Sequence, residues 1–504
     1  MLNSSRQIKL GAIVSYGAIL FNIIAGLVYT PWMVRQIGKS DYGLFVLVTS
    51  FLTYFVMDFG LGQAIARFIA KYRVEGNERK VNELLGLTSK LYLLINFIIL
   101  FTLVIVYFFI ENIFGELSAN EIHSFKIVYC IAGFFSVLSF PFTPLNGVLI
   151  AYERFVVLKL CDLLNKVGLI TLMVVALLLG YKLYALVAIN AGIGIVIIII
   201  KLFYLSKTTL IKIDFGYKSR ELFKELFSFS IWVTIIGVAQ RLLMNITPTI
   251  LGIFSGTVSI AVFAIGMVME GYTYTFASAL NGLFLPKVSE LSAKKDNMVE
   301  ISNLMIRIGR IQLFMIGILI IGIITLGKQF ITFWMGSDFT ESYYVALFLI
   351  LPGFITLTQE IGSTLLFVLN ELKYRAYLLV GASIISVLIS VLLAPKFGAV
   401  GSAIGIFISL FSCHVIGMNY IYWKITKIDI PRFFKECYLK MLFPLGLSLL
   451  AGFLINTYIP AYNLISLAPK AILLGIIYII LMWAFGLNKD EKHLMLSFVR
   501  KISN

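Results

Sequence analysis

Fourteen apolar stretches separated by short polar gaps fill almost the whole of this 504-residue chain, and lysine and arginine collect in every second gap. A helix needs about 20 apolar residues to cross a hydrocarbon core of about 30 Å. In lipid every backbone polar group must also be satisfied internally, which leaves the helix as the spanning element for runs of this length. The stretches lie near Leu10–Trp32, Tyr42–Ala64, Leu87–Ile110, Phe125–Leu149, Leu160–Gly180, Leu183–Phe203, Phe229–Leu251, Val258–Phe284, Ile311–Gly327, Tyr343–Leu366, Tyr377–Ala394, Ala399–Ile421, Met441–Ile455 and Ala468–Gly486. The fold class expected is therefore an all-α polytopic membrane protein with about fourteen transmembrane helices.

The gaps orient the spans, because basic loops stay on the cytoplasmic side. Arg6 and Lys9 precede the first stretch, and Lys71, Arg73, Arg79 and Lys80 fill one alternate loop. Lys424, Lys427, Arg432 and Lys435 fill another, and Arg500 and Lys501 follow the last stretch. The opposite loops hold only Arg35, Lys39, Lys126, Lys182, Lys328 and Lys396. One of them, Glu111 to His123, carries Glu111, Glu116 and Glu121 with no lysine or arginine. An even number of spans with basic ends predicts that both termini are cytoplasmic.

Composition excludes several classes. A net charge of +16 in a soluble protein would point to nucleic acid, but with 60% hydrophobic residues it is the imprint of cytoplasmic loops. No nucleic-acid partner is expected. The first stretch is too long for a signal-peptide core and has no small-residue cleavage site behind it, so no processing is expected. Cys130, Cys161, Cys413 and Cys437 have no CxxC spacing, which supports neither a disulfide framework nor a metal site. No loop is long enough to hold an extramembrane catalytic domain. Gly38-Lys39-Ser40 has Met33 where a nucleotide loop needs its first glycine. No catalytic residue and no cofactor are therefore expected.

An internal repeat underlies the spans. Thr30-Pro31 near the end of the first span matches Thr247-Pro248 near the end of the seventh, and Gly38 and Phe45 match Gly256 and Phe263 in the turns and helices that follow. Both copies run in the same direction through the membrane, so the plan is two parallel six-helix lobes, residues 1–208 and 209–428. An appended pair of helices and a cytoplasmic tail occupy 429–504.

The segment PWMVRQIGKSDYGLFVLVTSF, from Pro31 to Phe51, resembles the first-loop signature of the polysaccharide-biosynthesis or Wzx-type oligosaccharide flippases. These belong to the multidrug/oligosaccharidyl-lipid/polysaccharide exporter superfamily. DFGLGQAIARFIAKYRVEGNERKVNELL, from Asp58 to Leu85, is similar to the second span and first cytoplasmic loop of that family. APKFGAVGSAIGIFISL, from Ala394 to Leu410, resembles its hairpin between spans eleven and twelve. The resemblance implies translocation of an undecaprenyl-pyrophosphate-linked oligosaccharide (an O-antigen, capsule or related repeat unit) across the bacterial inner membrane by alternating access. It implies as partners that substrate, membrane lipid and other polysaccharide-assembly membrane proteins, and it assigns no catalytic residue. Two rivals stand beside it: a multidrug or cation exporter of the same superfamily, and an integral-membrane polysaccharide polymerase. The polymerase predicts a long external loop that this chain lacks.

Charges inside spans are costly and face a cavity or a partner, so they mark the candidate path. Arg241, close to mid-depth in span seven and flanked by Gln240 and Asn245, suits a pyrophosphate because its planar fork binds two oxygens at once. A structural ion pair with Glu270 in span eight is the other reading. Lys159, Asp162 and Lys166 share one face of span five beside Asn165, which places Lys166 in the lumen or in a bridge with Asp162. Glu270 and Glu360 are candidates for coupling to a proton or sodium ion, Glu360 following a helix break expected at Pro352-Gly353. His414 is a weaker coupling candidate. Asp58 is assigned to packing or a gate ahead of substrate contact.

Overall fold

A computed structural model describes residues 23–54, 60–277, 284–293 and 298–492, apart from 210, 212, 218 and 490. The described chain is helical almost throughout, and eleven of its helices are long and apolar enough to cross a membrane. It forms two compact units, Met1–Ala261 and Val262–Asn504.

In the first unit α1 (residues 23–37) turns at Gly38 into α2 (Lys39–Thr53). α3 (Leu61–Val74) then leads to α4 (Glu78–Ile113), α5 (Ala119–Ser139), α6 (Leu145–Ala151), α7 (Phe155–Leu178), α8 (Leu183–Thr208) and α9 (Arg220–Phe254). α4 has 36 residues, or about 54 Å at 1.5 Å per residue, so one end projects well beyond the hydrocarbon. Side chains cap the ends where water or headgroups compete for the backbone. Asn77 accepts from the Lys80 N–H, Ser219 accepts from the Leu222 N–H, and Ser118 and Glu121 form a reciprocal capping box on α5.

Two matched glycines of the repeat read from sequence share a backbone feature. Gly38 and Gly256 both adopt the left-handed region, with φ of 87° and 76°, and each starts the next helix. Only glycine enters that region without steric cost, so the two turns share one solution. Thr30 and Thr247 are both buried, and Pro248 lies inside α9.

The second unit takes up α10 (Gly256–Ala277) from Val262 onward, followed by α11 (Leu285–Ala293) and the 38-residue α12 (Met298–Met335). The tenth span is broken, as Pro352-Gly353 predicts. It comprises α13 (Ser342–Ile350), the single turn α14 (Gly353–Thr356) and α15 (Glu360–Val368). Freed backbone groups at the break close short i to i+3 bonds, and the Phe354 carbonyl accepts from the Tyr438 hydroxyl at 2.8 Å.

α16 (Leu372–Ser409) folds back on itself at Gly398, whose φ of 51° and ψ of −132° are not helical. A methyl group at Gly401 would stand 2.6 Å from the Leu393 carbonyl oxygen, and one at Gly405 would stand 2.8 Å from the Ser390 hydroxyl. The two arms are therefore an antiparallel hairpin in close contact, and the helical run Leu372–Lys424 makes both the eleventh and the twelfth span. Its second arm continues through a π-helix at Leu410–Gly417 into α17 (Met418–Lys424). The short α18 (Ile430–Phe433) precedes α19 (Lys440–Tyr458) and α20 (Leu464–Leu481), which pack on each other and on α12. The spans placed near Leu10–Trp32 and Tyr42–Ala64 run partly outside the described residues, so the count of fourteen stays an expectation.

Candidate functional site

Arg241 lies on α9, half-buried, and its Nη1 donates to the Thr53 carbonyl at the end of α2. A helix end has carbonyls without intrahelical partners, so a guanidinium there is held in place without losing its charge. A guanidinium is a planar fork of donors whose geometry suits an oxyanion. Asn245, one turn along, is half-buried, and Gln240 is exposed. The first unit therefore gathers all three residues on one helix.

On α7 the buried face is formed by Cys161, Met173, Ala176 and Leu177, with Cys161 packed against Ile193 and Ile197 of α8. The polar stripe lies on the opposite, open side. Asp162 reaches back to Lys159 at 3.6 Å, so the expected alternative bridge from Asp162 to Lys166 is not formed. Lys166 and Asn165 are exposed. Asp58 lies outside the described residues.

Sequence reasoning did not single out Lys201. It sits inside α8 at 9% exposure, with its Nζ donating to the Asn146 Oδ1 of α6 at 2.8 Å. A buried ammonium held by a neutral amide keeps its need for an anion, since the amide supplies dipole but no charge. The only signal in the sequence is a lysine in an otherwise apolar run from Ile195 to Phe203, and it reads there as the start of a basic loop.

The second unit holds both acidic candidates. Glu270 is half-buried on α10. Glu360 is the first residue of α15, next to the break, with the Thr364 hydroxyl 3.5 Å from its Oε1. Arg375 donates to the Ser363 hydroxyl at 3.1 Å, one helical turn from Glu360, which sets the guanidinium close to that carboxylate without an ion pair. His414 lies on the π-helix of the facing hairpin arm, its Nε2 buried and without a hydrogen-bond partner among the described residues. Gln359 and Asn419 exchange side-chain amide bonds at 2.7 and 3.3 Å, which closes the break. π-Helical segments and broken spans both recur where membrane proteins handle ions, because they free backbone groups at depth.

A second feature escaped the sequence. Arg310 of α12 is 2% exposed and donates through Nε and Nη2 to both carboxylate oxygens of Glu491, at 2.5 and 3.0 Å. Two carbonyls, those of Gly486 and Glu436, accept its remaining bonds at 2.6 and 2.8 Å. Glu491 also accepts from the Asn488 N–H at 2.7 Å. Each charged atom of this pair is matched, which is the condition under which a buried ion pair is tolerated. Among the described residues no group of three or more histidine, cysteine or acidic side chains has the spacing to hold a metal ion.

The described chain is an all-helical membrane fold with a broken span and charged side chains within its spans. The solved structures similar to it share that fold. The lipid II flippase MurJ in an inward closed conformation aligns with a TM-score of 0.70 at 16% identity, covering 94% of this chain and 98% of its own. An inward-facing multidrug resistance MATE family transporter of the MOP superfamily aligns with a TM-score of 0.64 at 16% identity, covering 84% and 99%. A MOP superfamily transporter from Pyrococcus furiosus, described by the reverse polarity of its binding pocket, aligns with a TM-score of 0.55 at 15% identity, covering 84% and 96%. No match is found among curated protein sequences. Residues 8–290 match the family described as polysaccharide biosynthesis protein, and the chain belongs to that family.

Proposed function

We propose that the protein is a carrier, not an enzyme, that moves an undecaprenyl-pyrophosphate-linked oligosaccharide across a bacterial inner membrane. The observation that carries this reading is Arg241, a half-buried arginine held at a helix end within a membrane fold whose family is polysaccharide biosynthesis. Its fork is the phosphate contact of the proposal, with Gln240 and Asn245 on the same helix and Lys166 of α7 as further lumen groups. Both termini are cytoplasmic in this reading, and the moving lobes are residues 1–208 and 209–428, with 429–504 appended.

Physics dictates the mode of transport. Drawing a polyprenyl tail of about 55 carbons into water would cost on the order of 40 kcal/mol, at about 0.8 kcal/mol per buried carbon unit. The tail stays in lipid, and only the polar head crosses through the lined path. With the inside negative, moving an anion outward is downhill by about 2.3 kcal/mol per charge per 100 mV. Return of the empty carrier needs its own bias, which uptake of a proton or sodium ion at Glu270 or Glu360 would supply.

The deciding experiment reconstitutes the protein in vesicles holding a fluorescent lipid-pyrophosphate oligosaccharide and follows exposure of the head group. Arg241→Ala is expected to abolish translocation at normal abundance, and Arg241→Lys to restore part of it, because a point charge lacks the fork. Normal translocation by Arg241→Ala removes the phosphate role. The MATE-like fold makes an organic-cation exporter the second reading, and export of a cationic dye with no oligosaccharide movement would favour it.

A further inference from the structure

We propose that Glu121 is the latch of the outer gate, joining the starts of the repeat-related helices α2 and α10. This inference rests on the alternating-access reading above. Glu121 Oε1 accepts from the Ser40 hydroxyl at 2.6 Å and from the Thr257 hydroxyl at 2.6 Å. Its Oε2 accepts from the Ser118 N–H at 2.9 Å and the Ser118 hydroxyl at 2.8 Å. One carboxylate, fixed at the start of α5 by its own capping box, therefore grips the starts of both α2 and α10.

The positions gripped follow the matched glycines of the repeat. Ser40 lies two residues after Gly38 and Thr257 one residue after Gly256, 217 residues apart, and their hydroxyl oxygens stand 3.2 Å from each other. Both hydroxyls therefore stand in the first turn of helices that follow matched glycines. Thr257 is 3% exposed, and its carbonyl leaves no room for a side-chain carbon at Gly43 of α2. The closed contact is thus tight in backbone as well as in side chains.

Opening the outer side of a carrier built from parallel repeats separates the turn before α2 from the turn before α10. Each of the two hydroxyl bonds to the carboxylate opposes that separation, and bonds to a charged acceptor are stronger than neutral ones. Glu121 therefore shifts the resting population toward the state closed on the outside. It lies in the loop that holds no lysine or arginine, so no cationic side chain of that loop competes for its carboxylate.

The test uses cells expressing the full chain with Cys130, Cys161, Cys413 and Cys437 replaced. In one background Ser40→Cys and Thr257→Cys are combined, and oxidant is expected to form a disulfide that stops head-group translocation until it is reduced. In a second, Asn245→Cys reports outward opening by labelling with an impermeant maleimide. Glu121→Ala is expected to raise that labelling at least tenfold, the effect of losing even one bond to a charged group, with Glu121→Gln between it and the parent. Adding the disulfide pair to the reporter is expected to abolish labelling. The latch is overturned if no disulfide forms, if the cross-linked protein translocates or labels at the reduced rate, or if Glu121→Ala at normal abundance labels like the parent. Labelling reads the opening whatever the cargo. Labelling as expected in the reporter, with no oligosaccharide moved by the chain that keeps Asn245, refutes the cargo and leaves the latch standing.

Discussion

Single buried charges carry most of the meaning in this molecule, because each is expensive unless something answers it. For Arg310 the answer is Glu491, supported by two carbonyls. Removing one partner strands the other, a loss of about 3–5 kcal/mol. Glu491→Ala is therefore expected to lower the unfolding midpoint of the purified protein sharply, whereas Arg310→Met with Glu491→Leu recovers most of it, since an apolar pair strands nothing. Equal midpoints for Glu491→Ala and the parent would show that the pair contributes nothing. Among the described residues Lys201 has only the neutral oxygen of Asn146 as hydrogen-bond partner. Lys201→Met is accordingly expected to leave stability unchanged or higher while slowing head-group translocation about tenfold. An unchanged rate would confine Lys201 to packing.

At the scale of elements the hairpin at Gly398 makes the sharpest demand. A side chain at Gly405 pushes into Ser390, and overpacking of this kind costs about 1–3 kcal/mol. Gly405→Ile is expected to cut membrane abundance severalfold, while Gly446→Ile, which meets nothing within 4 Å, leaves it near normal. Immunoblots of membranes decide between them, and similar losses in both would remove the packing argument. The hairpin, the break at Pro352-Gly353 and nearly every described span were legible in the sequence, since apolar length, proline and glycine are local signals. Lone charges in apolar runs, such as Arg241 and Glu360, could be picked out for the same reason. Their partners could not. Glu121 meets a residue 136 positions away, Arg310 one 181 away, and hydrogen bonds across such distances leave no periodicity in the chain. Arg310, Lys201 and Glu121 all stand near the ends of apolar stretches, where the positive-inside pattern and ordinary loop polarity already account for them.

For the whole molecule the basic loops and the potential make linked statements. Cysteines at Asn120, Ser337 and Asn463 are expected to label from outside intact cells, and those at Asn77 and Ser219 only after permeabilisation. The reverse pattern would invert the orientation and with it the direction of transport. With that orientation, collapsing the membrane potential of vesicles is expected to slow head-group movement without any requirement for nucleotide. An undiminished rate in depolarised vesicles lacking ion gradients would indicate passive equilibration and remove the coupling roles of Glu270 and Glu360.

The Arg310–Glu491 pair also imposes an order on biogenesis. Arg310 enters the bilayer with the ninth span, but its carboxylate is translated only after the last one, 181 residues later. Throughout that interval the nascent chain holds a guanidinium that is only partly answered. A chain halted before Glu491 retains that defect permanently, inside α12. The ion pair thus works as a seal of completion: α19 and α20 are locked onto α12 only when translation has passed them both.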